Sequence, residues 1–268
     1  MAEETATWVG GGEYNTASAP YASVSGGLSN TASGDHASVT GGYQNHASGG
    51  ASSISAGSTN SALAAYTSVS GGAGNTAAAE ASAVTGGTDN AATGLGSSVL
   101  GGDFNRANGD YSAVMAGNGN SADGDYSSVA GGWENDAVGQ RSSIAGGVGN
   151  DATEGGTWVA GGEYNVAGAV RAAGAGGAYN TASGERAVVA GGTGNVASGP
   201  YSSVTGGQGN GASGTYASVT GGYDNSATGD WGSGQGGRAN AAENDQASGS
   251  GGRGNPASGA CSSVTGGY

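Results

Sequence analysis

The chain has 268 residues, of which 62 are Gly, one is Phe and none is Lys, and its formal net charge is −14. This composition excludes the ordinary apolar core of a globular enzyme. An acidic surface repels phosphate backbones and anionic lipid, so we expect no nucleic-acid partner. No stretch approaches the roughly 20 apolar residues of a membrane helix, and we expect no membrane insertion by this chain.

One short phrase repeats along the whole sequence. Asn occupies every fifteenth residue from Asn15 to Asn255, in 17 of 17 copies, and Ala follows two residues later in all 17. Disordered Gly-rich chains rarely keep such a register. The period therefore predicts one uncapped repeat domain over residues 1–268, in which each copy stacks on the copies before and after it.

Residues 218–230 (SVTGGYDNSATGD) give the elements of one copy in chain order. The first three residues alternate small polar, apolar and small polar side chains, as in a strand. Gly221 and Gly222 follow, and Asn225 closes this corner, because Gly and Asn supply positive φ angles and local hydrogen bonds. A second short run, residues 226–228, leads to another corner. We therefore predict an all-β fold, a parallel β-solenoid or β-roll of about 17 coils with 15 residues per coil.

Stacked coils about 4.8 Å apart place equivalent residues in ladders along the solenoid axis. We predict a thin interior lined by Val219, Gly221, Ala227 and their equivalents, and a structural ladder formed by Val219, Gly222, Asn225 and Ala227. The regular spacing favours a structural Asn, either an amide ladder or a left-handed corner residue, over a ligand site. Glycosylation is excluded, because Ala always occupies the third position of the sequon.

Few residues of the sequence offer chemistry. Strings of the form GxGxxA begin at Gly117, Gly192, Gly207 and Gly252, but they repeat the coil pattern, and a chain without Lys has no Walker-type phosphate loop. His36, His46 and Cys261 lie at non-equivalent positions and form neither metal-ligand spacing nor a Cys/His pair. We predict no catalytic, cofactor or metal site, and no enzyme.

An acidic column leaves two interpretations open. Asp110 and Asp125, one coil apart and beside Asp123, could bridge a calcium ion. The alternative, which the interruptions of the column favour, is that these carboxylates solvate a turn. The column contains Asp35, Glu80, Asp110, Asp125, Glu185, Asp230 and Asp245.

Fifteen of the 17 aromatic side chains fall into two groups at predicted corners, and a bore of this width has no room for them. They must therefore lie outside, where they either pack against neighbouring chains or contact a ligand. The group beside the acids contains Tyr21, Tyr66, Tyr111, Tyr126, Tyr201, Tyr216 and Trp231. The group just before the Asn contains Tyr14, Tyr43, Phe104, Trp133, Tyr164, Tyr179, Tyr223 and Tyr268. The contact surface that we predict comprises Tyr21, Tyr66, Tyr111, Tyr126, Trp133, Tyr201, Tyr216, Tyr223 and Trp231.

The run of residues 218–222 (SVTGG) followed by residues 227–229 (ATG), and more closely residues 182–184 (ASG), resembles the YadA-like head repeat of trimeric autotransporter adhesins, here in a 15-residue variant. The resemblance covers nearly every copy. It implies a left-handed parallel β-roll, three chains packed side by side, a location at the cell surface or outside the cell, and adhesion to a host, matrix or surface ligand.

We therefore expect a non-enzymatic structural and adhesive module, the rigid rod of an extracellular adhesin or surface fibre, assembled as a trimer or a head-to-tail fibre. Head-to-tail assembly is expected because neither end of the repeat carries a cap. The alternatives are a phage fibre segment and an ice-binding solenoid. Thr residues that face outward at coil spacing would support ice binding, and they occur at Thr40, Thr85, Thr205, Thr220 and Thr265.

Overall fold

A computed structural model describes residues 6–267 of the chain. The chain divides into two compact units, Met1–Glu134 and Asn135–Tyr268. Both units consist of short parallel strands with one coil every 15 residues, which confirms the predicted all-β solenoid of about 17 turns. Residues 6–267 contain no helix that could cross a membrane.

The strands of the first unit are two residues long. In chain order they are β1 (Trp8–Val9), β2 (Thr16–Ala17), β3 (Ser23–Val24), β4 (Thr31–Ala32), β5 (Ser38–Val39), β6 (His46–Ala47), β7 (Ser53–Ile54), β8 (Ser61–Ala62), β9 (Ser68–Val69), β10 (Thr76–Ala77), β11 (Ala83–Val84), β12 (Ala91–Ala92), β13 (Ser98–Val99), β14 (Arg106–Ala107), β15 (Ala113–Val114), β16 (Ser121–Ala122) and β17 (Ser128–Val129).

The strands of the second unit have two or three residues. In chain order they are β18 (Asp136–Ala137), β19 (Ser143–Ile144), β20 (Asp151–Ala152), β21 (Trp158–Val159), β22 (Val166–Ala167), β23 (Ala173–Gly174), β24 (Thr181–Ala182), β25 (Val188–Val189), β26 (Val196–Ala197), β27 (Ser203–Val204), β28 (Gly211–Ala212), β29 (Ser218–Val219), β30 (Ser226–Ala227), β31 (Ser233–Gln235), β32 (Ala241–Ala242), β33 (Ser248–Ser250), β34 (Pro256–Ala257) and β35 (Ser263–Thr265).

Within each unit, the odd-numbered strands form one parallel sheet and the even-numbered strands form a second. Every strand pairs with residues exactly one coil away, as when Val204 lies opposite Val219 and Ala212 opposite Ala227. The backbone N–H of Ser218 donates to Gly232 O in the following coil at 2.9 Å. These intercoil bonds satisfy the backbone of strands that are too short to be stable alone.

The interior consists of small side chains from both sheets. Val219 on β29 and Ala227 on β30 are buried. Ser218, which precedes Val219 on β29, is only half-buried, because successive side chains of a strand point to opposite faces. The residue before most first-sheet strands adds a further buried column that was not predicted from the sequence, exemplified by Ala217 and Ser202. A narrow bore filled by Ala, Val and Ser explains why the sequence holds so few large apolar residues.

Gly221 does not line the bore, so that prediction was wrong. A Cβ added to Gly221 would lie 3.9 Å from Gly206 O, and one added to its equivalent Gly206 would meet nothing within 4 Å. Gly221 and Gly222 instead line an outer groove with Thr220. The chain leaves the strand after Thr220, and the alternation of inward and outward side chains ends there.

Gly222 lies in the left-handed region with φ of 91°, and its Cα faces the next coil. A Cβ on Gly222 would lie 2.3 Å from Gly237 O, so only Gly allows the two backbones to approach this closely. Asn225 does not have a positive φ; the residue before it, Asp224, does, with φ of 53°. Of the two structural interpretations of the Asn, the amide ladder is therefore correct and the left-handed corner residue is not.

Candidate functional site

The Asn ladder, the set of Asn at 15-residue spacing, joins successive coils through hydrogen bonds. Asn210 Nδ2 donates to Gly206 O of its own coil at 2.8 Å and to Gly222 O of the next coil at 3.1 Å, and its Oδ1 accepts from the backbone N–H of Asn225 at 2.9 Å. Asn210 and Asn225 are buried. Because their polar atoms are occupied within the fold, these side chains are not available to a ligand.

The residues available to a partner lie at the other corner of the coil. We call corner column the 17 residues at 15-residue spacing from Tyr21 to Cys261. Each has a left-handed backbone, with φ from 54° at Ala51 to 70° at Gly156. Left-handed φ is uncommon for residues other than Gly and is an outlier for bulky ones, yet seven of these positions hold Tyr or Trp.

A backbone hydrogen bond holds the left-handed corner in place. The N–H of Trp231 donates to Thr215 O of the preceding coil at 2.8 Å, and the N–H of Tyr216 donates to Pro200 O at 2.9 Å. Strand amides donate toward the following coil, so the corner bonds run in the opposite direction. Because this geometry recurs in every coil, the side chains of the corner column project in register.

In the second unit, the corner column forms a continuous stack of four side chains. The rings of Tyr201 and Tyr216 lie 4.8 Å apart with an interplanar angle of 13°, and those of Tyr216 and Trp231 lie 4.2 Å apart at 11°. Arg186 extends the stack, because its Nη1 donates to the Tyr201 hydroxyl at 2.9 Å and its Cζ lies 5.2 Å from the ring centroid. All four side chains remain exposed to solvent.

The first unit carries shorter pieces of the same column. Tyr111 stacks on Tyr126 with centroids 5.3 Å apart, and Tyr21 stacks on the imidazole of His36 at 4.7 Å. Tyr66 lies between two Ala corners and is 68% exposed. The predicted contact residues at this corner are thus all exposed and share one edge within each unit.

The second aromatic group, described above as lying just before the Asn, occupies two different positions. Tyr43, Trp133 and Tyr223 belong to a ladder of isolated bridges between coils, so this part of the coil is paired backbone and not a free turn. Tyr14, Phe104, Tyr164 and Tyr179 follow that ladder and have positive φ. Trp133 and Tyr223 are exposed, and the Cζ atom of Arg238 lies 5.1 Å from the centroid of the Tyr223 ring. Tyr268 lies outside the described residues.

Four members of the acidic column accept hydrogen bonds from the backbone, namely Asp110, Asp125, Asp230 and Asp245. Asp230 Oδ1 accepts from the N–H of Thr215 at 2.8 Å, and Asp110 Oδ1 accepts from the N–H of Leu95 at 2.9 Å. Asp123 accepts from Asn108 and Ser121 side chains. Among residues 6–267, no three His, Cys, Asp or Glu side chains are arranged to hold a metal ion. The contacts are those of carboxylates that complete a turn.

The remaining candidates are dispersed. His36 Nδ1 lies 3.2 Å from the Asp35 carboxylate, His46 is half-buried on β6, and the exposed Cys261 thiol contacts Gln246 at 3.4 Å. The five outward Thr residues are exposed, but Leu100 and Met115 occupy the same repeat position and make that face irregular.

One carboxylate differs from the others in its environment. Asp151 lies on β20, where it pairs with β18 and β22 on either side. Burial raises the pKa of Asp151 above its ordinary value, because partial removal from water disfavours the charged form.

Comparison of the sequence with known proteins gives no match to a protein-family model and none to a curated protein.

Proposed function

We propose that this chain is a non-enzymatic structural and adhesive repeat module at the cell surface or outside the cell. In this proposal, the buried columns and the Asn ladder make a rigid solenoid, and the corner column contacts the partner. The module is the rod of an adhesin or of a self-assembling surface fibre.

The observation that carries the proposal is the choice of residues in the corner column. A left-handed position favours Gly, and a bulky residue there costs on the order of 1–3 kcal/mol. Nevertheless Tyr201, Tyr216 and Trp231 occupy such positions and expose their rings to solvent. Exposed aromatic side chains at strained positions contribute little to a core and are typical of contact surfaces.

The test is adhesion to plates coated with extracellular-matrix proteins or with insoluble polysaccharides. We expect the chain to bind at least one coating, and the triple variant Tyr201→Ser, Tyr216→Ser, Trp231→Ser to lose that binding. The matched control is Tyr14→Ser, Tyr164→Ser, Tyr179→Ser, which removes three exposed rings outside the corner column. Undiminished binding by the corner variant, with its circular dichroism unchanged, would contradict the proposal.

We further propose that the module acts as a homo-oligomer, either a trimer or a head-to-tail fibre. Leu100 and Met115 support self-association, because they lie at equivalent positions of adjacent coils with 52% and 49% of their surface exposed. Sedimentation should show species larger than 24.8 kDa, and Leu100→Ser with Met115→Ser should shift them toward monomer. A wild-type chain that sediments only as a monomer would contradict self-association.

A further inference from the structure

The corner column of the second unit also contains a notch, which has no aromatic residue in its lining. It has a volume of about 340 Å³ and is lined by Gln140, Arg141, Gly155, Gly156, Val170 and Arg171. Gly156 forms the floor, and Arg141 and Arg171 belong to the coils before and after it. The γ-carbon of Arg171 would lie only 3.6 Å from a Cβ on Gly156, so its stem forms one wall of the notch.

The pair of glycines at the notch, Gly155 and Gly156, has no equivalent in any other coil of the sequence. In each coil the acidic column and the corner column supply two consecutive residues, and only Gly155 and Gly156 place Gly at both. Every other described coil has at least one side chain at this pair of positions. A coil without either side chain therefore leaves an open space between two arginines.

Positive charge is scarce in this chain, and it is concentrated here. The protein has six Arg and no Lys, and three of the six lie in the corner column at Arg141, Arg171 and Arg186. Arg186 already pairs with Glu185 at 3.9 Å and bonds to Tyr201. Arg171 forms no ion pair with any described residue. Its guanidinium is free to bind a carboxylate in two-point geometry.

Four coils show one group that can occupy this corner. Asp110, Asp125, Asp230 and Asp245 each place a carboxylate oxygen 2.8–3.2 Å from the backbone N–H one coil earlier. At the notch, the equivalent side chains are absent or apolar, namely Gly155 and Val170. The N–H groups of Gln140 and Gly155 accordingly have no acceptor among residues 6–267.

We propose that the notch binds the carboxylate of a small acidic molecule, such as a hexuronic acid. The bound carboxylate takes the place of the missing Asp side chain at position 155, accepts from the N–H of Gln140, and pairs with Arg171. A small ligand is favoured over a polyanion because residues 135–268 carry nine acidic residues against five Arg. This site is independent of whatever the aromatic stack contacts.

The test is nuclear magnetic resonance of the full chain labelled with ¹⁵N in Gln only. The chain has five Gln, at positions 44, 140, 208, 235 and 246, so Gln140 is one of five backbone signals and the other four are internal controls. Titration with glucuronate at pH 7 should shift the Gln140 amide signal saturably, and glucose, the uncharged analogue, should not. Equal shifts at all five amides, or no shift at Gln140, would overturn the proposal.

Two variants sharpen the result. Gly155→Asp supplies the carboxylate internally, and it fits because a Cβ there lies no closer than 3.8 Å to Gln140 O. We expect it to move the Gln140 signal toward its saturated position without ligand and to abolish the response to glucuronate. Arg171→Gln should weaken binding about tenfold, and Arg253→Gln should not. A Gly155→Asp chain that titrates like wild type would overturn the assignment.

Discussion

The backbone N–H of Asn225 donates a hydrogen bond to the side-chain Oδ1 of Asn210, one coil earlier, at 2.9 Å. The same Asn210 side chain donates to Gly222 O in the coil of Asn225. Two adjacent coils are thus joined by side chain and backbone at one buried point. Because the arrangement recurs at 15-residue spacing, each Asn side chain of the ladder satisfies backbone groups of the coil that follows it.

Replacement of one Asn should therefore destabilise the second unit strongly. Asn210→Ala removes the acceptor of the buried Asn225 N–H and the side-chain donor to Gly206 O, and Gly222 O keeps only the N–H of Gln208. We therefore expect the free energy of unfolding to fall by about 2–4 kcal/mol. Urea denaturation followed by circular dichroism measures the change. Gln208→Ala removes an exposed side chain from the same coil and is the control. Equal stability of the two variants would contradict a structural role for the ladder.

Gly221 and Gly222 are consecutive, but replacement by Ala should affect the stability of the protein very differently at the two positions. Gly222→Ala places a Cβ 2.3 Å from Gly237 O at φ of 91°, and we expect a loss of about 3 kcal/mol or more. Gly221→Ala meets only Gly206 O at 3.9 Å and should change stability by less than about 0.5 kcal/mol. Thermal unfolding of both variants tests this contrast, and a tolerated Gly222→Ala would refute the close approach of the coils.

One core position should accept a stabilising substitution. Gly174 is buried where most coils hold Val, and a Cβ there would lie 4.0 Å from both Val159 and Asn165. Gly174→Ala restricts the unfolded chain and buries a methyl group, so it should raise the free energy of unfolding by about 1 kcal/mol. Gly177→Ala, in the same coil, would clash with Gly192 O and should destabilise. A loss of stability on Gly174→Ala would show that this part of the bore is already full.

The raised pKa of Asp151 predicts a pH-dependent effect of its removal. A carboxyl group whose pKa is higher in the folded state binds its proton more tightly there, so its ionisation above the folded pKa opposes folding. Below its ordinary value of 3.8 the group is protonated in both states and has no such effect. Asp151→Asn should therefore stabilise the protein at pH 7 and not at pH 3, as measured by urea denaturation at both values.

The control for that experiment is Glu163→Gln, which removes an exposed carboxylate from the next coil. Both variants change the net charge by the same amount, so a difference between them reports the local environment of Asp151. An Asp151→Asn variant that is less stable than wild type at pH 7, and equally stable at pH 3, would reverse the expected sign.

The sequence was sufficient to predict the period, the strands and the burial of Val219 and Ala227, because a strict repeat and an alternating pattern fix spacing and facing within a strand. Facing after the strand was not predictable, because alternation continued past Thr220 predicts an inward Gly221 whereas the chain turns there. Ala217 is an interior residue that the prediction did not include, although it directly precedes Ser218 and continues the alternation back from Val219.

The left-handed corner was also missed, since the usual signal for it is Gly or Asn, and Tyr216 and Trp231 give the opposite signal. A second left-handed position, the residue before each Asn, does carry the usual signal, because six of its 17 copies are Gly. The notch was not predictable either. It depends on three adjacent coils at once, through Arg141, Gly156 and Arg171, and no single copy of the repeat contains its pattern.

The constant positions are locked between coils, whereas the corner side chains are exposed to solvent. Amide hydrogen exchange on the wild-type chain distinguishes these two environments. The N–H groups of Asn60 and Asn75 bond to the preceding Asn at 3.0 Å, whereas those of Ala65 and Glu80 have no acceptor among residues 6–267. We predict slow exchange at each Asn with a 15-residue period, and fast exchange at Ala65 and Glu80. Asn amides that exchange as fast as these two would contradict the locking of adjacent coils by the Asn ladder.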